Sequence, residues 1–205
     1  MADPTTEVVS EEDLEPGHGH QERAEQLDPE RAARRADALR HVRRWGDPVL
    51  KSKALSIERF DDELRAEVAT MAEIMEGAIG VGLAATQVGT MHRLFIYRIG
   101  HDGPLAVVIN PDFEWRSKDK ETYEEGCLSI PGVVVDVERP IHVRVRAQDE
   151  WGEPILIEAS GLEARVIQHE ADHLDGVLML DRTSRDQRKE AVRALREAAA
   201  GRNGG

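Results

Sequence analysis

The chain has 205 residues, with 40 Asp or Glu against 27 Lys or Arg and a formal charge of −13, a length that suits one domain with tails. Its longest unbroken apolar run, Leu105 to Ile109, is far below the roughly 18 residues that a membrane span requires, so neither a transmembrane helix nor a membrane partner is expected. The acidity argues against a nucleic-acid binder that works through a broad basic surface, and no DNA partner is expected. With Cys127 the one cysteine, no intramolecular disulfide can form, and no basic stretch followed by an apolar one opens the chain, so the expected compartment is a reducing cytoplasm.

Residues 1–38 read as an acidic flexible extension, part of it transiently helical. Residues 1 to 30 hold ten Asp or Glu and a single base, Arg23, and Pro16-Gly17-His18-Gly19-His20 interrupts any periodicity. His18 and His20, flanked by glycine, are expected to be solvated and receive no role. Order is expected to begin near Val42, where Trp45-Gly46-Asp47-Pro48-Val49-Leu50 mixes apolar anchors with turn residues. Leu64, Val68, Met71 and Met75 then form one stripe of a 3.6-residue period, which predicts a helix capped by Asp61 or Asp62 and stopped by Gly77, with both methionines in the core.

From Arg93 to Ala159 the pattern is that of strands: Leu94 to Ile99, Leu105 to Asn110, Val133 to Val137, Ile141 to Ala147 and Ile155 to Ala159, punctuated by prolines. A meandering, mostly antiparallel set follows from these short segments. Helical period returns from about Gly161 to Asp175 through Ile167, Ala171 and Leu174, with Gly176 closing the helix. Residues 39–182 are expected to form the catalytic domain, and 183–205 a basic C-terminal helix and tail.

In Gln168-His169-Glu170-Ala171-Asp172-His173, the two histidines are four apart and project from one helix face, so both can hold one metal ion, while Glu170 can reach water beside it as a general base. A helix with two surface histidines is the plain alternative. A metzincin reading fails because Met179 stands where the third histidine is needed, although Gly176 fits. A thermolysin-like reading would need Glu190 or Glu197, both in an Arg-rich segment with little core character. The remaining soft ligand is Cys127, in Glu124-Glu125-Gly126-Cys127-Leu128-Ser129, read as a loop between strands. As a protease nucleophile Cys127 would leave the histidine spacing unexplained; as a plain buried thiol it would not need so polar a turn. Gly80-Val81-Gly82 permits close backbone approach, and Gln87 offers an amide N–H to an oxyanion.

These three segments, Gly80 to Gln87, Glu125 to Ser129 and Gln168 to Gly176, occur in an order that resembles the signature motifs of peptide deformylases, and Trp45 to Leu50 resembles the family's entry segment. The resemblance covers about residues 40 to 182, with Thr86 where many members carry proline. It implies an α+β fold class, with small mixed, mostly antiparallel sheets packed around a central helix that bears the His-Glu-x-x-His motif. It further implies one divalent metal ion on Cys127, His169 and His173, Fe(II) in the native enzyme with Zn(II), Ni(II) or Co(II) as alternatives. The implied activity is hydrolysis of the N-formyl group from the formyl-methionine of nascent polypeptides. Glu170 would move protons, Gln87 and the Leu128 N–H would meet the oxyanion, and Gly82 would admit the substrate backbone. Val81, Leu162 and Val166 would line the methionine pocket. A zinc metallopeptidase and an inactive deformylase-like binding module are the competing readings.

The C-terminal residues 182 to 205 hold seven bases and three acids. Ser184 and Gln187 match a capping box, Val192, Leu195 and Ala199 make a narrow apolar stripe, and Arg185, Lys189, Arg193 and Arg196 share an adjacent face. Such a helix either rests on the domain with its charges solvated or, as the resemblance implies for some members, meets ribosomal RNA near the emerging substrate.

Overall fold

The computed structural model describes residues 28–100 and 102–202. Helix α1 (Pro29–Ala38) leads through a 3-10 turn (Pro48–Lys51) to α2 (Asp62–Gly77), β1 (Gly82–Ala84), the one-turn α3 (Ala85–Val88) and β2 (Leu94–Tyr97). Strands β3 (Ala106–Arg116), β4 (Lys120–Cys127), β5 (Ile130–Pro140), β6 (His142–Gln148) and β7 (Pro154–Ser160) follow. Helix α4 (Gly161–Leu174), a 3-10 turn (Met179–Asp181) and α5 (Arg185–Arg202) complete the order. Strands β1-β2-β3-β6-β7 form a five-stranded antiparallel sheet, and β4 pairs with β5 in a separate ribbon.

Period-2 alternation in β2 sorts the core into layers. Leu94 and Ile96 face α2, where they join Leu64, Val68, Met71 and Met75. Phe95 and Tyr97 point the other way, onto Ala164, Ile167, Ala171 and Leu174 of α4. A third cluster places Val133, Val135 and Val137 of β5 against Leu50, Leu178, Met179, Leu180 and Ala191, the last from α5. The predicted helix stripe is thus the core face of α2, and Asp61 caps it by accepting from the Leu64 N–H at 3.1 Å.

The structure departs from the sequence expectations at several elements. Within the stretch expected to be flexible, α1 is ordered: Asp28 accepts from the Glu30 and Arg31 N–H groups at 3.1 and 3.0 Å, Pro29 opens the helix, and Ala38, Leu39 and Val42 join the α2 core. His18 and His20 lie outside the described residues. Strand β4 was not anticipated, because Lys120-Glu121-Thr122-Tyr123-Glu124-Glu125 offers no apolar alternation; what it turns inward is Glu125, met by arginines. Cys127 consequently ends a strand rather than sitting in a loop. Strands β3 and β5 run longer than expected, β3 past the irregularity between Ile109 and Asp112, where Asn110 (φ 52) bonds the Ile57 main chain on both sides. Gln187 also departs from its expected capping-box role. Its main-chain N–H reaches Ser184 Oγ at 3.3 Å, but its side chain bonds Thr183 Oγ1 and Asp136 instead.

One residue is held against its preference. Ile79, half-buried and just before the Gly80-Val81-Gly82 segment, has φ 59. For a β-branched residue the left-handed region costs roughly 1–2 kcal/mol. Ile79→Asn, which tolerates that region, is expected to raise the melting temperature by about 2–4 °C. A calorimetric scan showing a fall would mean that the isoleucine side chain contributes more packing than its backbone costs.

Candidate metal centre and catalytic groups

Helix α4 contributes three groups from one turn and a half. His169 and His173 share a face, with ring centroids 5.1 Å apart and planes inclined by 71°. Cys127, at the end of β4, brings Sγ to 3.2 Å from His173 Nε2. Ligand atoms of Cys127, His169 and His173 all lie within 4.8 Å of one another, the one such group of three among the described residues. One thiolate and two imidazoles form a donor set suited to a tetrahedral site with a fourth position open, so the residues fit a catalytic metal ion.

Glu170 is turned by about 100° from His169 on the helix and faces β1. The contact is tight: a Cβ at Gly82 would fall against Glu170 Oε1 and stand 2.8 Å from its Cγ. Glycine is what lets the carboxylate lie there. Oε2 of Glu170 is buried and has no hydrogen-bond partner within the protein, an oxygen left over for a group that the chain does not supply. Burial pushes the Glu170 carboxyl up to about 7, so that it can hold or release a proton near neutrality.

Gln87 is oriented by its own short helix. Its Oε1 accepts from the Ala84 N–H at 2.9 Å, which forces Nε2 toward Ser129 Oγ at 3.2 Å and Cys127 Sγ at 3.6 Å. Leu128 occupies the two-residue turn between β4 and β5, close beneath Gly80. Thr86, buried beside Gln87, donates its hydroxyl to the His173 carbonyl at 3.2 Å. The structure therefore assembles Cys127, His169, His173, Glu170, Gly82, Gln87 and Leu128 in one place. Leu162, Val166 and His169 follow at spacings of four and three along one flank of α4, with Leu162 42% exposed and Val166 packed against the sheet core. Val81 is half-buried, with its carbonyl accepting from the Arg98 N–H at 2.9 Å.

The metallopeptidase alternatives find no ligand here. Met179 is buried in the third core, and Glu190 and Glu197 are exposed on α5.

Sequence reasoning missed the groups that hold His169. Its Nδ1–H donates to Glu125 Oε2 at 2.9 Å, which leaves Nε2 free as a ligand. Glu125 also accepts from Arg139 Nε at 2.6 Å, Arg139 Nη2 at 2.9 Å and Arg165 Nη1 at 2.9 Å. Burial alone would raise the Glu125 carboxyl, but the Arg139 and His169 bonds outweigh it and hold it well below the usual carboxylate range. Arg139 Nη1 goes on to Asp172 at 2.8 Å, and Asp172 accepts in turn from Arg182. A signal for this network was present: Arg139 continues the inward series Val133, Val135, Val137, and an arginine at an inward strand position requires a buried partner.

Comparison with known proteins agrees with the geometry. The polypeptide deformylase family profile matches residues 39–189, beginning just after α1 and ending inside α5. A peptide deformylase of Acidothermus cellulolyticus is 44% identical over 161 residues, 78% of this chain and 88% of that protein. One from Clostridium botulinum is 50% identical over 148 residues, 72% of this chain and 99% of that protein. Among solved structures, the Synechococcus elongatus peptide deformylase in complex with actinonin superposes with a TM-score of 0.72 at 45% identity, covering 75% of this chain and 86% of that one. The Legionella pneumophila enzyme gives 0.75 at 35% identity over 80% and 97%. With its three motif segments folded into a single site and this agreement along most of its length, the chain belongs to the peptide deformylase family.

Proposed function

We propose that Cys127, His169 and His173 hold one divalent metal ion, and that the groups around them carry out the family's reaction, hydrolysis of the N-formyl group from the formyl-methionine of nascent polypeptides. The observation that carries this reading is the convergence of the three donors with a buried carboxylate oxygen that has no partner in the protein. When bound, the ion would supply Lewis acidity toward water and the formyl oxygen. Fe(II) is the native ion in this reading, and the same donors accommodate Zn(II), Ni(II) or Co(II). A thiolate ligand requires reduced Cys127, which accords with a cytoplasmic site of action.

Glu170 takes a proton from the attacking water and delivers it to the amine as the C–N bond breaks, so that formate and a free N-terminus leave. Gln87 Nε2 and the Leu128 N–H donate to the oxygen on which charge develops; both are fixed before reaction and need little reorganisation. Gly82 leaves room for an extended substrate backbone. Val81, Leu162 and Val166 form the apolar side that receives methionine. Residues 39–182 act as the catalytic body.

Glu170→Gln is expected to keep its metal while formate release from a formyl-methionyl peptide falls by about 10²-fold or more in kcat. A variant that retains more than about a tenth of wild-type kcat would remove Glu170 from the proton transfers. Cys127→Ser should lower metal content on elemental analysis as well as turnover, because a neutral hydroxyl is a poor soft-metal ligand. Unchanged metal content would take Cys127 out of the ligand set. An acetyl-methionyl peptide serves as the control for both: cleavage within its chain would indicate a peptidase.

The C-terminal helix supports a further assignment, to ribosomal RNA near the emerging substrate. Ala191, Val192 and Leu195 seat α5 on the third core, whereas Arg185, Lys189, Arg193 and Arg196 are all exposed. Reversing these four to Glu is expected to abolish salt-sensitive co-sedimentation with ribosomes and to spare turnover of a short peptide. If the reversed chain sediments like wild type, α5 serves only to pack.

A further inference from the structure

One stretch of main chain runs across both segments that carry the oxyanion donors. The Arg43 N–H donates to the Gln87 carbonyl at 2.7 Å, and the Trp45 N–H donates to the Ser129 carbonyl at 2.9 Å. Between them the Arg44 guanidinium reaches the Leu128 carbonyl at 3.4 Å. Arg43 lays its own guanidinium over Gly89, the left-handed residue (φ 94) that ends α3, so closely that a Cβ there would stand 2.8 Å from Nη2. The two ends of the stretch are anchored in different cores. Val42 is buried with α2, and Trp45 packs on the third cluster.

We propose that Arg43–Trp45 is a positioning strap that fixes the spacing between Gln87 and Leu128, a role that rests on their assignment as oxyanion donors. Neither segment can set that spacing alone. Helix α3 is four residues long, a single turn without intrinsic stability, and Leu128 lies in a two-residue turn. On the inner side, Gln87 Nε2 is tied to Ser129 Oγ and Cys127 Sγ. Donation to a substrate oxygen exchanges one of those bonds, so the inner tie weakens when alignment matters. The strap bonds carbonyls, which the reaction does not use, and therefore persists through it. Because oxyanion donors act mainly in the transition state, loosening the strap lowers kcat and leaves KM and metal content in place.

The test uses the full-length, metal-loaded chain. Trp45→Pro removes the amide N–H given to Ser129 and is expected to lower kcat by about tenfold with KM within about threefold and metal content unchanged. Trp45→Leu keeps that N–H and an apolar anchor, and should stay within about threefold of wild-type kcat. Combining Trp45→Pro with Gln87→Ala should cost less than the product of the separate losses, as expected of groups that act through one another. Unchanged kcat in Trp45→Pro, or fully multiplicative losses, would overturn the strap. Should the proline variant fail to fold, Arg44→Met, at an exposed position, is expected to lower kcat by about threefold at constant KM, and no change would overturn the proposal equally. Gln87→Ala separates the two layers of the argument. If it alone leaves kcat intact, the oxyanion assignment fails and takes the strap with it, whereas a large Gln87 effect beside silent strap variants removes the strap only.

Discussion

Glu125 accepts four hydrogen bonds from three side chains while only 5% exposed, and those bonds join β4, on which it sits, to β5 through Arg139 and to α4 through Arg165 and His169. Burying such charges costs several kcal/mol per ion after relaxation, and the bidentate Arg139 pair offsets that cost only because nearly every remaining donor has a partner. Apolar side chains of similar volume could hold the β4–β5 ribbon against α4 at least as firmly. What they could not do is fix the plane and tautomer of the His169 ring. The network therefore serves orientation more than cohesion, and the position of Cys127, two residues along β4 from Glu125, follows from the same fixed strand.

Helix α4 mediates between two kinds of packing. Its Ala164, Ile167, Ala171 and Leu174 lie on the sheet in ordinary apolar contact, and its Arg165, His169 and Asp172 meet the ribbon through charge. Glu170 falls between these faces. It enters a slot that only a glycine at position 82 leaves open, and the short strand β1 that carries Gly82 turns directly into α3 with Gln87. The glycine that leaves room for Glu170 and the turn that carries Gln87 are thus separated by a few residues of main chain from one sheet edge, which fixes their relative placement without any long side chain in between.

Much of this was legible in the chain. The stripe Leu64, Val68, Met71 and Met75, its Asp61 cap and the four-residue spacing of His169 and His173 depend on local periodicity, and periodicity survives into the fold. Strand β4 was not legible, because its buried side chain is an ion whose partners come from β5 and α4, far along the sequence. Helix α1 was obscured for a different reason: Asp28-Pro29-Glu30 is a sound helix start, but its surroundings are so charged that composition outweighed the cap. The network that holds His169 had one readable sign, Arg139 in an inward series of valines. Its partner Glu125 looked like any other acid in an acidic run.

Thr86 ties the turn that carries Gln87 to α4 through its side chain. A proline there, as the resemblance to the deformylase motif would allow, would fix the backbone ahead of Gln87 by restricting φ and the residue before it. Threonine restricts neither to that degree. In this chain the Thr86 hydroxyl crosses to the carbonyl of His173 in the last turn of α4, at a position that helix geometry leaves without an intrahelical partner. That carbonyl also accepts from the Gly176 N–H at 3.2 Å, so the hydroxyl is not needed to end the helix. Its consequence is a bond between the helix that carries His169 and His173 and the turn that carries Gln87. The restraint thereby runs between α3 and α4, and the placement of the turn that carries Gln87 against the helix turn that carries His173 rests on a direct hydrogen bond.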